Sequence, residues 1–549
     1  MAFSDRYNKQ SHHKQNTVRM LSRIEQLNHI GIALSAEQDK NHLMETILSG
    51  AQYLTNADAG TLYLLEQQKL HFKIINNRSL AIEQSADDAE QQAFPPIPLY
   101  DESGQANQKT VAAYAALTGT TINIPNIRAN DKFDFSGTLS YDEKSGYRSQ
   151  SFLTIPMRDH EDDIIGVLQL INPTEQLTNN ILAFSDEDQQ LVESLASQAA
   201  VAITNQRLIA ELKNLMEKFI EVIASAIDDK SPYTGYHCRR VPEIAMLLAD
   251  AVNENKVGPL ADFNLDDNQR YELKIAALLH DCGKITTPVH VVDKATKLET
   301  IFDRIHLIES RCEILRRDIE IAALKQQLRN SGSNHHSDTL NQQLQQLDED
   351  FEFLKNANKG TEFMPEAAQQ RVKEISQRSW QNQQGETKPL LNSEEIDNLT
   401  IAKGTLLESE RQVINHHISM TINMLEALPF PKHLSNVPEI AGNHHERMDG
   451  KGYPRGLKRD EMSIQARLMG IADIFEALTA SDRPYKSPMC LSQALKILAN
   501  MAEEGHIDPD LFEIFVSQKV YLRYAEKNLR PEQIDEISPN ICSAPSNQI

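Results

Sequence analysis

An apolar run, Leu278-Leu279, ends abruptly in His280-Asp281 and is followed by Cys282-Gly283-Lys284. A His-Asp pair at the end of a buried helix is a compact way to hold a metal. Its imidazole nitrogen and carboxylate oxygens suit borderline-hard divalent cations such as iron, manganese or zinc. Two residues do not make a catalytic cluster, so the chain must fold in a way that brings more ligands to this pair.

The chain has 549 residues, too many for one core, and two or three domains are expected. Its formal charge is -23 and it has no Lys/Arg-rich run, which argues against a duplex nucleic-acid partner. An anionic small substrate is compatible with that charge, because a metal supplies the local positive field. No stretch of 18 apolar residues exists and residues 1–17 are polar, so neither membrane insertion nor a signal peptide is expected. Cys238, Cys282, Cys312, Cys490 and Cys542 are scattered, odd in number and without a CxxC. That usage fits a reducing cytoplasm.

Helical spacing runs from Leu21 to Leu54, and the pattern then changes to strands. The runs 60–65 and 70–75 flank a polar turn and read as a hairpin. A short helix is expected over 108–117, a strand over 121–124, and a last strand pair over 151–156 and 164–171. Helices enclosing an antiparallel sheet make an α+β domain. The element order, with Gly146-Tyr147-Arg148-Ser149-Gln150-Ser151-Phe152-Leu153 and Ile165-Gly166-Val167-Leu168-Gln169-Leu170-Ile171-Asn172, resembles a GAF domain over 20–205. GAF domains act as small-ligand sensors and are often dimeric, so the resemblance implies an unidentified small ligand here. Asn130-Asp131-Lys132-Phe133 and Asp142-Glu143 partly echo a cyclic-nucleotide signature, but they read as loop residues and assign no ligand.

Ser185-Asp186-Glu187-Asp188 is an acidic helix start with Ser185 as N-cap. The helix continues without Gly or Pro through Lys230. Leu208, Leu212, Leu215, Phe219, Val222 and Ala226 alternate by four and three, a coiled-coil seam that pairs two chains into a homodimer. The alternative is that the seam packs on its own domain.

Further imidazoles and a carboxylate follow on helical segments: His237, His416-His417, His444-His445 and Asp473. Asp473 lies inside an apolar helix, where it needs a cation or hydrogen-bond donors. Together these groups suffice for two metals with open positions. The order of His280-Asp281-Cys282-Gly283-Lys284, His444-His445-Glu446-Arg447-Met448-Asp449-Gly450-Lys451-Gly452-Tyr453-Pro454, Ala472-Asp473-Ile474-Phe475-Glu476-Ala477-Leu478-Thr479 and Asp482-Arg483-Pro484-Tyr485-Lys486 resembles the HD-GYP family of HD phosphohydrolases.

The resemblance implies an all-helical HD domain that hydrolyses cyclic di-GMP to linear pGpG or GMP. It implies His237, His280, Asp281, His417, His444, His445 and Asp473 as metal ligands, with Asp281 bridging and His416 on the surface. Lys284 would face a phosphate oxygen, making Asp281 and Lys284 the catalytic pair. Asp449, Gly450, Gly452, Tyr453 and Pro454 would shape the substrate pocket. Arg483 and Lys486 would lie near the phosphates, and Tyr453 or Tyr485 near a base. Two cations would lower the pKa of a water and neutralise phosphate charge. His/carboxylate ligation without cysteine favours two iron or manganese ions over zinc, and Cys282 is expected to point into the helix packing.

Tyr233 stands where some members place a glutamate for a third metal, so a binuclear site is expected. About a hundred residues, 300–404, intervene before the third histidine. They read as a helical hairpin, with Ile301 to Leu328, a turn through His335-His336, and Leu340 to Leu354. A mobile loop is expected over 376–396. The expected layout is a polar tail (1–19), a GAF sensor (20–205), a connecting helix (206–230), the HD-GYP domain (231–535) and a C-terminal tail (536–549). Competing readings are a preference for 3′,3′-cyclic GMP-AMP and a catalytically silent cyclic-dinucleotide receptor.

Overall fold

The computed structural model describes residues 20–37, 39–85, 94–175, 178, 180–230, 236–329, 336–360, 363–480 and 488–537. The chain divides into two compact units at Leu215/Met216.

The first unit opens with α1 (20–36) and α2 (Lys40–Thr55). The single helical stretch read over 21–54 is broken here, where Asp39 caps α2 by accepting from His42 N. Among the described residues seven strands follow: β1 (Ala57–Glu66), β2 (Lys69–Asn77), β3 (Ile82–Ser85), β4 (Ile97–Pro98), β5 (Ile122–Ile124), β6 (Phe152–Arg158) and β7 (Ile164–Pro173). They form an antiparallel sheet in the order β3-β2-β1-β7-β6-β5, with β4 also paired to β2. The β1–β2 hairpin turns on Gln67 and Gln68, both left-handed, a geometry that matches the twist of the strands. Alternate residues point to opposite faces. Leu62, Leu153, Leu168 and Leu170 pack against α2 and the start of α5 (Asp186–Asp228). Tyr63 and Val167 pack against α3 (Val111–Thr118) on the other face. Asp142 and Glu143 lie on α4 (Ser136–Ser145), not in a loop: the buried Asp142 carboxylate accepts from Ser149 N and Oγ at 2.9 and 2.8 Å and so fixes the turn into β6.

Ser185 Oγ accepts from Asp188 N, the cap read from the sequence. Along α5, Leu208, Leu212, Leu215, Phe219 and Val222 are exposed, while the neighbouring stripe Ile220, Ala224 and Ile227 is buried in the core of the second unit.

The second unit is mainly helical. Its scaffold is α6 (His237–Glu254), α7 (Asp267–Leu279), a 3₁₀ turn (Cys282–Thr286) and α8 (Val289–Val292). The insertion contributes α9 (Ile305–Arg329), α10 (His336–Asn358), α11 (Glu366–Ser376) and α12 (Ser393–Leu399). The scaffold resumes with α13 (Glu408–Glu426), α14 (Val437–Gly442), α15 (Ile464–Thr479), α16 (Leu491–Glu503), α17 (Pro509–Ser517) and α18 (Val520–Asn528).

The α9–α10 hairpin read from the sequence is present. The mobile loop is not: residues 379–389 form a two-stranded hairpin, β8 (Ser379–Gln381) with β9 (Thr387–Pro389), and Asn392 caps α12. Leu390 and Leu391 are fully buried with Leu298, Ile308, Leu354 and Val372, so the insertion has an apolar core of its own. The turn over 330–335 and the C-terminal tail beyond 537 lie outside the described residues. No helix among the described residues is long and apolar enough to cross a membrane.

Candidate metal centre

Local structure places each donor at a helix end or on a buried helix face. A capping box of Asp266 and Gln269 starts α7, and the helix ends where His280 takes over. His237 opens α6, His417 lies on the buried face of α13, His444-His445 follow α14, and Asp473 is in the middle of α15. Ser463 joins the last two segments: its hydroxyl accepts from Ala466 N to cap α15 and donates to Glu439 on α14.

Gly283 sets a critical contact. A Cβ there would overlap His417 O and the Thr421 main chain, so only glycine lets the 3₁₀ turn lie against α13. Gly283 N also donates to Thr421 Oγ1 at 2.9 Å. The result is that Asp281 Oδ1 lies 3.3 Å from His417 Nε2.

All seven expected ligands converge. His237 Nε2 is 3.2 Å from His280 Nε2, 3.3 Å from Asp281 Oδ2 and 3.2 Å from Asp473 Oδ1. Among the described residues, three overlapping groups offer donor atoms close enough for an ion: His237/His280/Asp473, His280/Asp281/His444 and His417/His444/His445. His280, His417 and His444 each direct Nδ1 at a carbonyl three residues earlier (Ala277, Ile414 and Ala441), at 2.7, 2.5 and 2.6 Å. That bond fixes the tautomer and turns Nε2 inward.

Asp281 Oδ1, His417 Nε2 and His444 Nε2 are buried with no hydrogen-bond partner. A buried polar atom without a partner costs about 1–3 kcal/mol. Three such atoms in one cluster of imidazoles and carboxylates fit divalent cations. Burial, with the neighbouring imidazoles, holds His444 well below the ordinary histidine range, and burial brings His445 down to about 4. Both are therefore neutral donors. Burial works against the charge on Asp281 and Asp473, but Lys284 and His280 around the first, and His237 around the second, keep both well below the usual carboxylate range.

The remaining expected site residues are placed as follows. Lys284 Nζ donates to Asp281 Oδ2 at 2.5 Å. Tyr453 stacks on His445, with ring centres 4.9 Å apart. Gly452 passes so close to the Glu446 backbone that a Cβ would clash, and Gly450 is left-handed at φ 78°. Pro454 follows Tyr453 in the same turn. The Asp449 carboxylate accepts from Arg447 at 3.0 and 2.9 Å and from Lys451 N at 3.0 Å, so its contacts are made within the turn. His416 is exposed and Cys282 is buried in the helix packing. Tyr233, Arg483, Tyr485 and Lys486 lie outside the described residues.

Two supporting carboxylates were not singled out by the sequence reading. Glu476 Oε2 lies 2.5 Å from His237 Nδ1, and its other oxygen accepts from Arg240 Nε at 2.6 Å. Glu446, buried beside the ligand pair, accepts from the backbone N–H groups of Arg455, Gly456 and Leu457 and so shapes the turn. The available signal was spacing: Glu476 follows Asp473 by three residues on one helix face.

Residues 39–203 match the GAF domain family, and residues 234–356 and 393–511 match HD domain families. The chain thus carries a GAF domain followed by an HD domain of the HD-GYP type. Over 120 residues it is 40% identical to 3′3′-cGAMP-specific phosphodiesterase 1 of Vibrio cholerae, an alignment covering 22% of this chain and 27% of that protein. Over 113 residues it is 35% identical to a cyclic di-GMP phosphodiesterase of Pseudomonas aeruginosa, covering 21% and 26%. Over 120 residues it is 34% identical to a cyclic di-GMP phosphodiesterase of Thermotoga maritima, covering 22% and 32%. These alignments span about a quarter to a third of the curated relatives.

Proposed function

We propose that the chain is a metal-dependent cyclic-dinucleotide phosphodiesterase, hydrolysing cyclic di-GMP to linear pGpG or GMP under control of its GAF domain. The observation that carries this reading is the convergence of seven donors from five segments, with three buried atoms left for a cation. Two divalent cations, iron or manganese, when bound supply the Lewis acidity that activates a water and offsets phosphate charge. His237, His280 and Asp473 would hold one and His417, His444 and His445 the other. Asp281 would bridge them, because its two oxygens face different imidazoles. Lys284 would give its ammonium to a phosphate oxygen, beside Asp281 where it already lies. Tyr453, supported by His445, would offer its ring to a guanine, and the turn from Gly450 to Pro454 would wall the pocket.

A second reading, preference for 3′,3′-cyclic GMP-AMP, is supported by the identities of 40% and 42% to two enzymes named for that substrate. The domain division at 205, 230 and 535 belongs to this proposal, as does a small GAF ligand. So does a homodimer along the exposed α5 stripe, where Leu208, Leu212, Leu215, Phe219 and Val222 keep coiled-coil spacing. Buried free thiols at Cys238, Cys282 and Cys312 support a reducing, cytoplasmic setting. The test is an assay of manganese- or iron-loaded protein against both cyclic dinucleotides. Release of a linear product is expected, and binding of either without product would overturn the enzyme reading in favour of a receptor.

A further inference from the structure

We propose that the centre has two unequal halves, and that Glu476, held by Arg240, is the positioning residue that makes the His237 half bind its cation more tightly. The inference rests on the metal-centre reading above and goes beyond it in ranking the two positions.

The inequality begins with what stands behind each imidazole. His280, His417 and His444 lean on neutral main-chain carbonyls. His237 leans on a carboxylate, Glu476 Oε2, at 2.5 Å. A carboxylate behind a ligating histidine draws the Nδ1 proton, enriches Nε2 as a donor and fixes the ring, and its loss costs on the order of 10–100-fold in metal affinity. Glu476 is almost fully buried and its second oxygen is taken by Arg240 Nε at 2.6 Å. The guanidinium therefore keeps Glu476 behind the imidazole and prevents it from turning inward as a ligand itself.

The donor sets differ in the same direction. Around His237 lie Asp473 Oδ1 at 3.2 Å and Asp281 Oδ2 at 3.3 Å; the second also accepts from Lys284, so Asp473 is the carboxylate that distinguishes this half. Around His417 the acidic donor is Asp281 Oδ1, at 3.3 Å, and the other donors are the imidazoles of His444 and His445. A divalent cation is held more strongly by the set with more negative charge.

The test is stepwise metal removal from the manganese-loaded full chain with graded chelator. Ions per chain are counted by elemental analysis, and the position of the remaining ion is read from anomalous scattering. The wild type is expected to pass through a one-ion state with the ion at His237/His280/Asp473. Simultaneous loss of both ions, or retention at His417/His444/His445, would overturn the proposal without any variant being needed. In Glu476→Gln, which keeps an acceptor for Nδ1 but removes the charge, affinity at the His237 position should fall on the order of 10–100-fold while the other position holds. Unchanged affinity there would also overturn it. Arg240→Gln should move the same position in the same direction. Failure of the wild type to take up any metal would instead remove the metal-centre reading itself.

Discussion

The helical unit contains two kinds of buried polar cluster, and they end differently. In and around the insertion, charged side chains find partners within the fold. Arg311 grips the buried Glu395 at 2.8 and 3.0 Å and the Leu390 carbonyl at 2.9 Å. Lys294 reaches Asn398 and Glu410, and Lys297 is held between the carbonyls of Leu399 and Ile401 at 3.1 and 2.8 Å. At the candidate metal centre, Asp281, His417 and His444 each keep a buried atom without a hydrogen-bond partner. Closed networks of the first kind stabilise a subdomain. An open cluster of imidazoles and carboxylates fits a site that a ligand completes, because its cost is not recovered inside the protein.

The largest effect that would break this contrast belongs to the open cluster. Asp281→Ala should lower turnover by roughly 10²–10³-fold or more while far-UV circular dichroism stays that of the folded chain, and unchanged turnover would remove the bridging role. On the closed side, Glu395→Ala leaves Arg311 without its carboxylate and should cost about 3–5 kcal/mol. Limited proteolysis should then open the insertion while bound metal, counted per chain, is retained. Loss of metal in this variant would mean that the two clusters are not separable. Chelation sharpens the open side further. Removing a cation held at a hundred times its Kd withdraws about 2.7 kcal/mol, and the thermal midpoint should fall accordingly and recover on adding manganese.

The smallest effect is a pH dependence. Burial brings Lys297 down to about 8, below its value in the unfolded chain. Below pH 8 both states carry the proton and the burial penalty is present in full. As pH rises from about 8 towards the ordinary lysine value near 10.4, the unfolded chain binds more protons and stability rises. Chemical denaturation of the wild type against Lys297→Met should show that rise in the wild type alone.

Much of the candidate centre was legible because its proposed ligands occur in short, ordered motifs, and because an aspartate such as Asp473 stands out within an apolar helix. Arg240 was not legible, and Glu476 only through its spacing from Asp473. On a helix, charged residues read as a solvated face, and only the packing of α15 against α6 turns them inward behind His237. The segment 376–396 misled for the opposite reason. Its polar composition, Gly385 and Pro389 resemble a loop, yet Leu390 and Leu391 anchor it in the insertion core and a two-stranded hairpin satisfies its backbone. Asp142 was read as a loop residue because α4 is short and largely exposed, with little apolar periodicity to announce it.

Gly283 has one further consequence. The 3₁₀ turn and α13 meet there main chain to main chain, with no room even for a methyl group. The spacing of the main chains that carry Asp281 and His417 is therefore set by contact between two backbones, which no change of rotamer can widen. Such a junction leaves adjustment to the two side chains, while the segments that bear them stay in register.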